Sequence, residues 1–371
     1  MTHTEPQPFL PEAPGLSLSP ERLEGSQFMK IDRNGRKSCH RDLHEPPLYP
    51  LVYEPADNRF SGHALFPLEA LVALADEAGE APFRSAGTEE RALLTAFVSL
   101  ASLSPVAGTL VRAAASEGWR VGFAAIGNEG YHLDIPARVL WLDSCEMSPA
   151  TLGRSVWFRN ALLYSFVRAL RDIGHERDGA FSEAGYRAED MLMAERIRAA
   201  DCDCVALLAA WELRGAGHPD LWRHVIGSAE GDMALAFTRT VERAPASLFG
   251  GAALAGAFRM WFTRPDRVDA CDHGTLEQMD DILAENPDSS PFGRMALTPA
   301  AIEDLSLLPG GVRYLDGLGG AIKADPLFAG LNDIVNQTHF MHIMRDLSAT
   351  VAGNVPFRDA GLAARIFPSS R

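Results

Sequence analysis

Apolar positions recur at helical spacing along most of the chain. In "PLEALVALADEAG" Leu68, Leu71, Val72 and Ala75 fall on one face, which predicts an amphipathic helix. "TEERALLTAFVSLASL" predicts a second, with Thr88 at its start and Glu90 and Arg91 in the first turn. "SPVAGTLVRAAASEG" predicts a third, running from a Ser cap and a first-turn Pro to Gly118. The period then shortens. "WRVGFAAIG" and "ARVLWLD" are β-branched and aromatic runs separated by the turn residues of "NEGYHLDIP", so they read as strands of a small antiparallel meander, with "YHLDI" as a third.

Helical spacing returns from about Gly153 to Glu176, where Leu162, Leu163, Phe166, Val167, Leu170 and Ile173 gather on one face. After the break "GHERDGAFSEAGY", a long helix from about Glu189 to Arg214 carries the stripe Met193, Ile197, Ala200, Cys204, Leu207, Leu208 and Trp211. Helical stretches follow at "PDLWRHVIGSAEGDMALAFTRTVER", "ASLFGGAALAGAFRMWF" and "TLEQMDDILAE", with Trp211, Trp222 and Trp261 expected in the core. Pro, Gly and Ser in residues 286–299 mark a linker, and "LFAGLNDIVNQTHFMHIMRDLSATV" is a helix of the tail. Residues 1–60 show no sustained period. The expected organisation is an extended arm (1–60), a body (61–285), a linker (286–299) and a C-terminal helical appendix (300–371). The fold class is α+β, mainly helical, with a small antiparallel sheet packed on helices.

Composition narrows the function classes. A hydrophobic share of 47% is enough for a sizeable core. A net charge of -15, with no Lys/Arg cluster, excludes nucleic acid as a partner and disfavours an anionic membrane surface. No apolar run reaches the ~18 residues of a spanning helix, and the opening residues lack a secretory pattern, so the expected location is cytoplasmic. Cys39, Cys145, Cys202, Cys204 and Cys271 are too few and oddly spaced for a disulfide framework.

Candidate chemistry concentrates on the helix ending at Glu176. Arg168, Asp172 and His175 share the face opposite its apolar stripe, and that face either meets water or lines a cleft. As an exterior it amounts to an Arg168–Asp172 ion pair at i,i+4. As a metal site it offers Asp172 and His175 at i,i+3, with Glu176, Glu195 or Asp201 adding oxygens. Weaker candidates are Cys39, His40, Asp42 and His44 in the arm, and His339 with His342, which reads as a packed helix. The Gly-rich "GGVRYLDGLGG" lacks the context of a phosphate loop and reads as turns.

The runs "YHLDIPARVLWLDSCEMSPATLGRSVWFRNALLYSFVRALRD" and "AERIRAADCDCVALLAAWELRGAGHPDLWRH" resemble a proteobacterial family of putative metallopeptidases of unknown function, over roughly residues 90–270. The order of elements resembles that of the zincins, whose His-Glu-x-x-His helix supplies two zinc ligands and a general base, and whose next helix supplies a third ligand. The resemblance implies a zincin-like body. It also places Arg168, Ala169 and Asp172 of "VRALRD" where His, Glu and His would stand, and Asp201 where the third ligand would stand. A guanidinium cannot ligate zinc and an alanine cannot take a proton. The implied protein is a pseudo-peptidase that binds a peptide or protein in its cleft, with Arg168 bridging Asp172 and Asp201 as an internal cation. No cofactor is expected, zinc being the metal if one is held. Two other readings stay open: an active metal-dependent hydrolase using Asp172, His175 and a nearby carboxylate, and a structural or oligomerising helical protein.

Overall fold

Strands β2 (Arg120–Ala124) and β4 (Val139–Asp143) are buried along nearly their whole length, which puts them at the centre of the sheet. They pair in parallel, Arg120 opposite Val139 and Ala124 opposite Asp143. β1 (Leu65–Pro67) flanks β2 antiparallel, and β3 (Tyr131–Asp134) flanks β4 antiparallel, giving the order β1-β2-β4-β3. The three strands expected from the sequence are present, but the sheet is mixed and not an antiparallel meander. The more polar β3, with His132 and Asp134, turns back at Arg138 (φ 51°) along the outer side of β4 and leaves the inner side to the apolar β2.

The computed structural model describes residues 60, 63–78, 88–127, 130–177, 185–285 and 291–353, with side chains to 347; all belong to one compact unit, Cys39–Arg371. The arm before Phe60, with Cys39, His40, Asp42 and His44, and most of the expected break after Glu176 lie outside the described residues. Among the described residues no helix is long and apolar enough to cross a membrane.

One sheet face meets helix α2 (Glu89–Ser102) on β2 and α5 (Val156–Arg177) on β3 and β4, with α1 (Leu68–Ala78) and α3 (Pro105–Ser116) packed against these helices. Val121, Phe123, Tyr131, Leu140 and Leu142 enter the main core from this side. The caps read from sequence are in place: Thr88 accepts from the Arg91 amide, Ser104 accepts from the Ala107 amide, and Gly118 takes φ 81° just past α3. On the other sheet face Trp141 packs with Ala124, Ile126 and Val139, and Phe60 stacks on Trp141 with centroids 5.0 Å apart.

After α4 (Pro149–Arg154), α5 (Val156–Arg177) and α6 (Ala188–Gly215) cross the middle of the molecule. Then come α7 (Asp220–Ile226), α8 (Gly231–Arg243), α9 (Ala252–Trp261) and α10 (Pro265–Glu285), which extends the predicted "TLEQMDDILAE" helix backwards by nearly three turns. Trp222 and Trp261 are buried as expected, while Trp211 is half-buried with its ring 5.1 Å from that of Trp222. α11 (Pro299–Leu305), α12 (Gly319–Ala324), α13 (Pro326–Ala329) and α14 (Ile334–Gly353) complete the described chain. Leu297, Ile302, Leu305, Tyr314 and Leu315 from this last region are buried in the same core as the strands and α5.

Candidate functional site

On α5 the residues Arg168, Arg171, Asp172, His175 and Glu176 fall at i, i+3, i+4, i+7 and i+8, so one helix face carries five ionisable groups. That face is not solvated. Arg168 is 1% exposed, Asp172 3% and His175 3%, because α6 covers it. Ala169 lies a quarter turn away in the apolar core.

α6 answers with opposite charges, taken in descending order as α5 ascends, the pattern of an antiparallel pair. Arg168 Nε lies 2.7 Å from Asp203, Arg171 Nε lies 2.5 Å from Asp201, and Arg198 Nε lies 2.5 Å from Asp172. The expectation that Arg168 bridges Asp172 and Asp201 is therefore corrected. Arg168 sits one turn too far along α5 to meet Asp201 and pairs with Asp203, whose other oxygen accepts from the Trp261 indole at 2.8 Å. Asp172 and Asp201 take their countercharges from Arg198 and Arg171.

Asp201 is the hub. Its Oδ2 accepts from Arg171 and from His175 Nε2 (2.8 Å), and its Oδ1 accepts from the Tyr314 hydroxyl (2.7 Å). Burial alone would raise its pKa, but the Arg171 guanidinium and the His175 ring override burial and hold it down at about 2. The ionised carboxylate fixes the proton of His175 on Nε2. Burial, reinforced by the nearby Arg171 charge, lowers the His175 pKa, so the ring is neutral at pH 7. Arg171 spends its remaining donors on backbone, Nη2 on the Leu305 carbonyl (2.6 Å) and Nη1 on that of Leu307 (3.0 Å).

Asp172 is a second hub, nearer β3. Oδ1 accepts from Arg198 and Oδ2 from the Tyr131 hydroxyl at 3.0 Å. Arg198 also donates to Glu176 and lies 3.8 Å from Glu195. Burial opposes its charge, yet Asp172, Glu195 and Glu176 together raise its pKa well above that of a free arginine. Asp172, Glu176 and Glu195 thus gather around Arg198, while His175, expected with them as a metal ligand, turns to Asp201. The other histidine pair also separates: His339 meets Asp280 at 2.6 Å and His342 is exposed.

The sequence reading missed Arg171, Arg198, Asp203, Tyr131 and Tyr314. Arg171 was detectable, standing at i+3 from Arg168 on the face already singled out. Arg198 and Asp203 acquire meaning only when α6 is laid antiparallel on α5. Tyr131 and Tyr314 come from a strand and from the turns of "GGVRYLDGLGG", and no local pattern ties them to a helix.

A family model described as the putative metallopeptidase family (DUF6782) matches residues 72–315, a span that contains strands β2 to β4, α5, α6 and Tyr314. The chain belongs to this family. No curated protein and no solved structure matches it. A metallopeptidase family implies a metal, and the donor set can be tested for one. Both oxygens of Asp172 and both of Asp201 are committed to protein donors, and Arg168, Arg171 and Arg198 bring three positive charges among them. A divalent ion placed there would face guanidinium groups where it needs lone pairs. Among the described residues no group of three or more His, Cys, Asp or Glu side chains could hold a metal ion. The residues of α5 and α6 do not fit one.

Proposed function

We propose that this protein is a cytoplasmic, non-catalytic member of its metallopeptidase family that binds a peptide or protein partner in a zincin-like cleft. The observation that carries this reading is the pairing of Arg168, Arg171 and Arg198 with Asp203, Asp201 and Asp172 across α5 and α6. Where a zincin needs two neutral imidazoles and a free carboxylate, "VRALRD" supplies a guanidinium, a methyl group and an already neutralised aspartate. The first has no lone pair to give, the second cannot accept a proton, and the third has no oxygen to spare. The edge position of β3, tied to α5 through Tyr131 and Asp172, supports the binding half of this reading. Main-chain pairing along such a strand gives affinity without chemistry.

The test is elemental analysis of untagged protein purified without chelator, paired with a peptidase assay on mixed-sequence peptides. The reading expects substoichiometric zinc, iron and manganese, no chelator-sensitive cleavage, and capture of a partner or peptide by the full chain. Near-stoichiometric metal that disappears in an Asp172→Ala, His175→Ala double variant, together with chelator-sensitive cleavage, would reverse it.

A further inference from the structure

Every nitrogen of the Arg198 guanidinium faces a different carboxylate. Nε meets Asp172, Nη2 meets Glu176, and Nη1 lies 3.8 Å from Glu195. Two of these acids come from α5, one turn apart, and the third from α6, one turn before Arg198 itself. Tyr131 of β3 holds the far oxygen of Asp172, so one wall is fixed by the sheet. The side chains of Asp172 and Arg198 are 5% and 11% exposed, whereas those of Glu176 and Glu195 are 24% and 22% exposed. The arrangement is closed at the Asp172 end and opens to water between the two glutamates. Three carboxylates turn toward this one guanidinium, from two turns of α5 and one of α6. A planar fork can donate to Asp172 and Glu176 while facing Glu195 with its third nitrogen; the point charge of a lysine cannot.

We propose that Asp172, Glu176 and Glu195 form a cation cage shaped for one guanidinium, and that Arg198 is its resident cation. The cage deepens the non-catalytic reading above but rests on these contacts alone. The cage locks α5, α6 and β3 together from within the chain and closes this position to divalent ions.

The experiment is a thermal unfolding and calorimetric titration of the full chain and of Arg198→Ala with millimolar methylguanidinium, with methylammonium as the shape control. The unfolding midpoint of Arg198→Ala is expected to fall below that of the unaltered chain and to rise saturably with methylguanidinium. Binding of methylguanidinium should be at least about tenfold tighter than that of methylammonium, equivalent to about 1.4 kcal/mol. The response should be absent from the unaltered chain and lost when Asp172→Asn and Glu176→Gln are added.

An Arg198→Ala protein that keeps the original midpoint, or ignores methylguanidinium, overturns the cage and leaves the non-catalytic reading standing. Stoichiometric zinc, iron or manganese in the unaltered chain, lost in Asp172→Asn, overturns both. If Arg198→Ala does not fold, a double-mutant cycle of Arg198→Lys with Glu176→Gln decides: the cage expects strongly non-additive stabilities, and additive ones reject it.

Discussion

At the scale of the residue, Asp201 shows how completely one carboxylate can be committed. Two protein donors on one oxygen and a hydroxyl on the other leave it no solvent, and its worth depends on all three partners being present. Replacing it with asparagine keeps the shape and removes the charge that offsets Arg171. Breaking a buried pair from one side costs about 3–5 kcal/mol, so Asp201→Asn should lower the urea midpoint by that equivalent; a loss under ~1 kcal/mol would show that the hub is dispensable. His175 adds a pH dependence. Its pKa is lowered on folding, so the unfolded chain binds the extra proton, and the stability His175 contributes is complete above pH ~6.5 and declines as pH falls below that value. Asp201 acts in the same direction at lower pH, its contribution being lost between the ordinary aspartate pKa near 4 and its folded value of about 2. Urea titrations at pH 7.5 and 5.5 should therefore show a total decrease of at most about 1.4 kcal/mol, all of it from the interval below pH ~6.5, and His175→Gln should flatten it.

At the scale of the element, α5 and α6 could be drawn from their periods, yet their exteriors could not. Amphipathic spacing on α5 predicts a polar face, and water is the usual neighbour of such a face. Here the neighbour is a second helix whose charges are complementary, and that depends on the crossing of α5 and α6, which no period encodes. The sheet tells a similar story. Three strands were legible from β-branched and aromatic runs, but their order was not, because pairing partners are chosen by burial and not by adjacency in the chain. Gly122 tests that order. A Cβ there would meet the Ala64 carbonyl oxygen at 2.5 Å and a Trp141 ring carbon at 2.8 Å, so β2 can sit between β1 and β4 only with glycine at this position. Gly122→Ala should cost roughly 1–3 kcal/mol and loosen β1 first. Hydrogen exchange would report it as faster exchange at Leu65–Pro67 than at Val139–Asp143; equal effects on both strands would contradict the packing.

At the scale of the whole molecule, the last third of the described chain is woven into the site. Arg171 binds the carbonyls of Leu305 and Leu307, Tyr314 reaches Asp201, and Arg196, paired with Asp272, donates to the carbonyl of Phe328 at 3.0 Å. Truncation after residue 290 would strip Asp201 of a hydroxyl, leave Arg171 with two unmet donors in a dry interior, and expose Ile302 and Leu305 contacts on the core. The fragment 61–290 is expected to be insoluble or molten by near-UV circular dichroism. A cooperative, native-like fragment would show that the body stands alone. What the sequence determined by itself was the class of fold, the course of α1, α2, α3, α5 and α6 with the caps at Thr88 and Ser104, and three of the four strands, because these depend on spacing and residue chemistry along the chain. Which arginine meets which aspartate, whether the polar face of α5 is wet or dry, and how Tyr131 and Tyr314 complete the hubs were decided only by tertiary structure. Those contacts join residues 26 to 113 positions apart, and a pattern read along the chain cannot see a distance closed by folding.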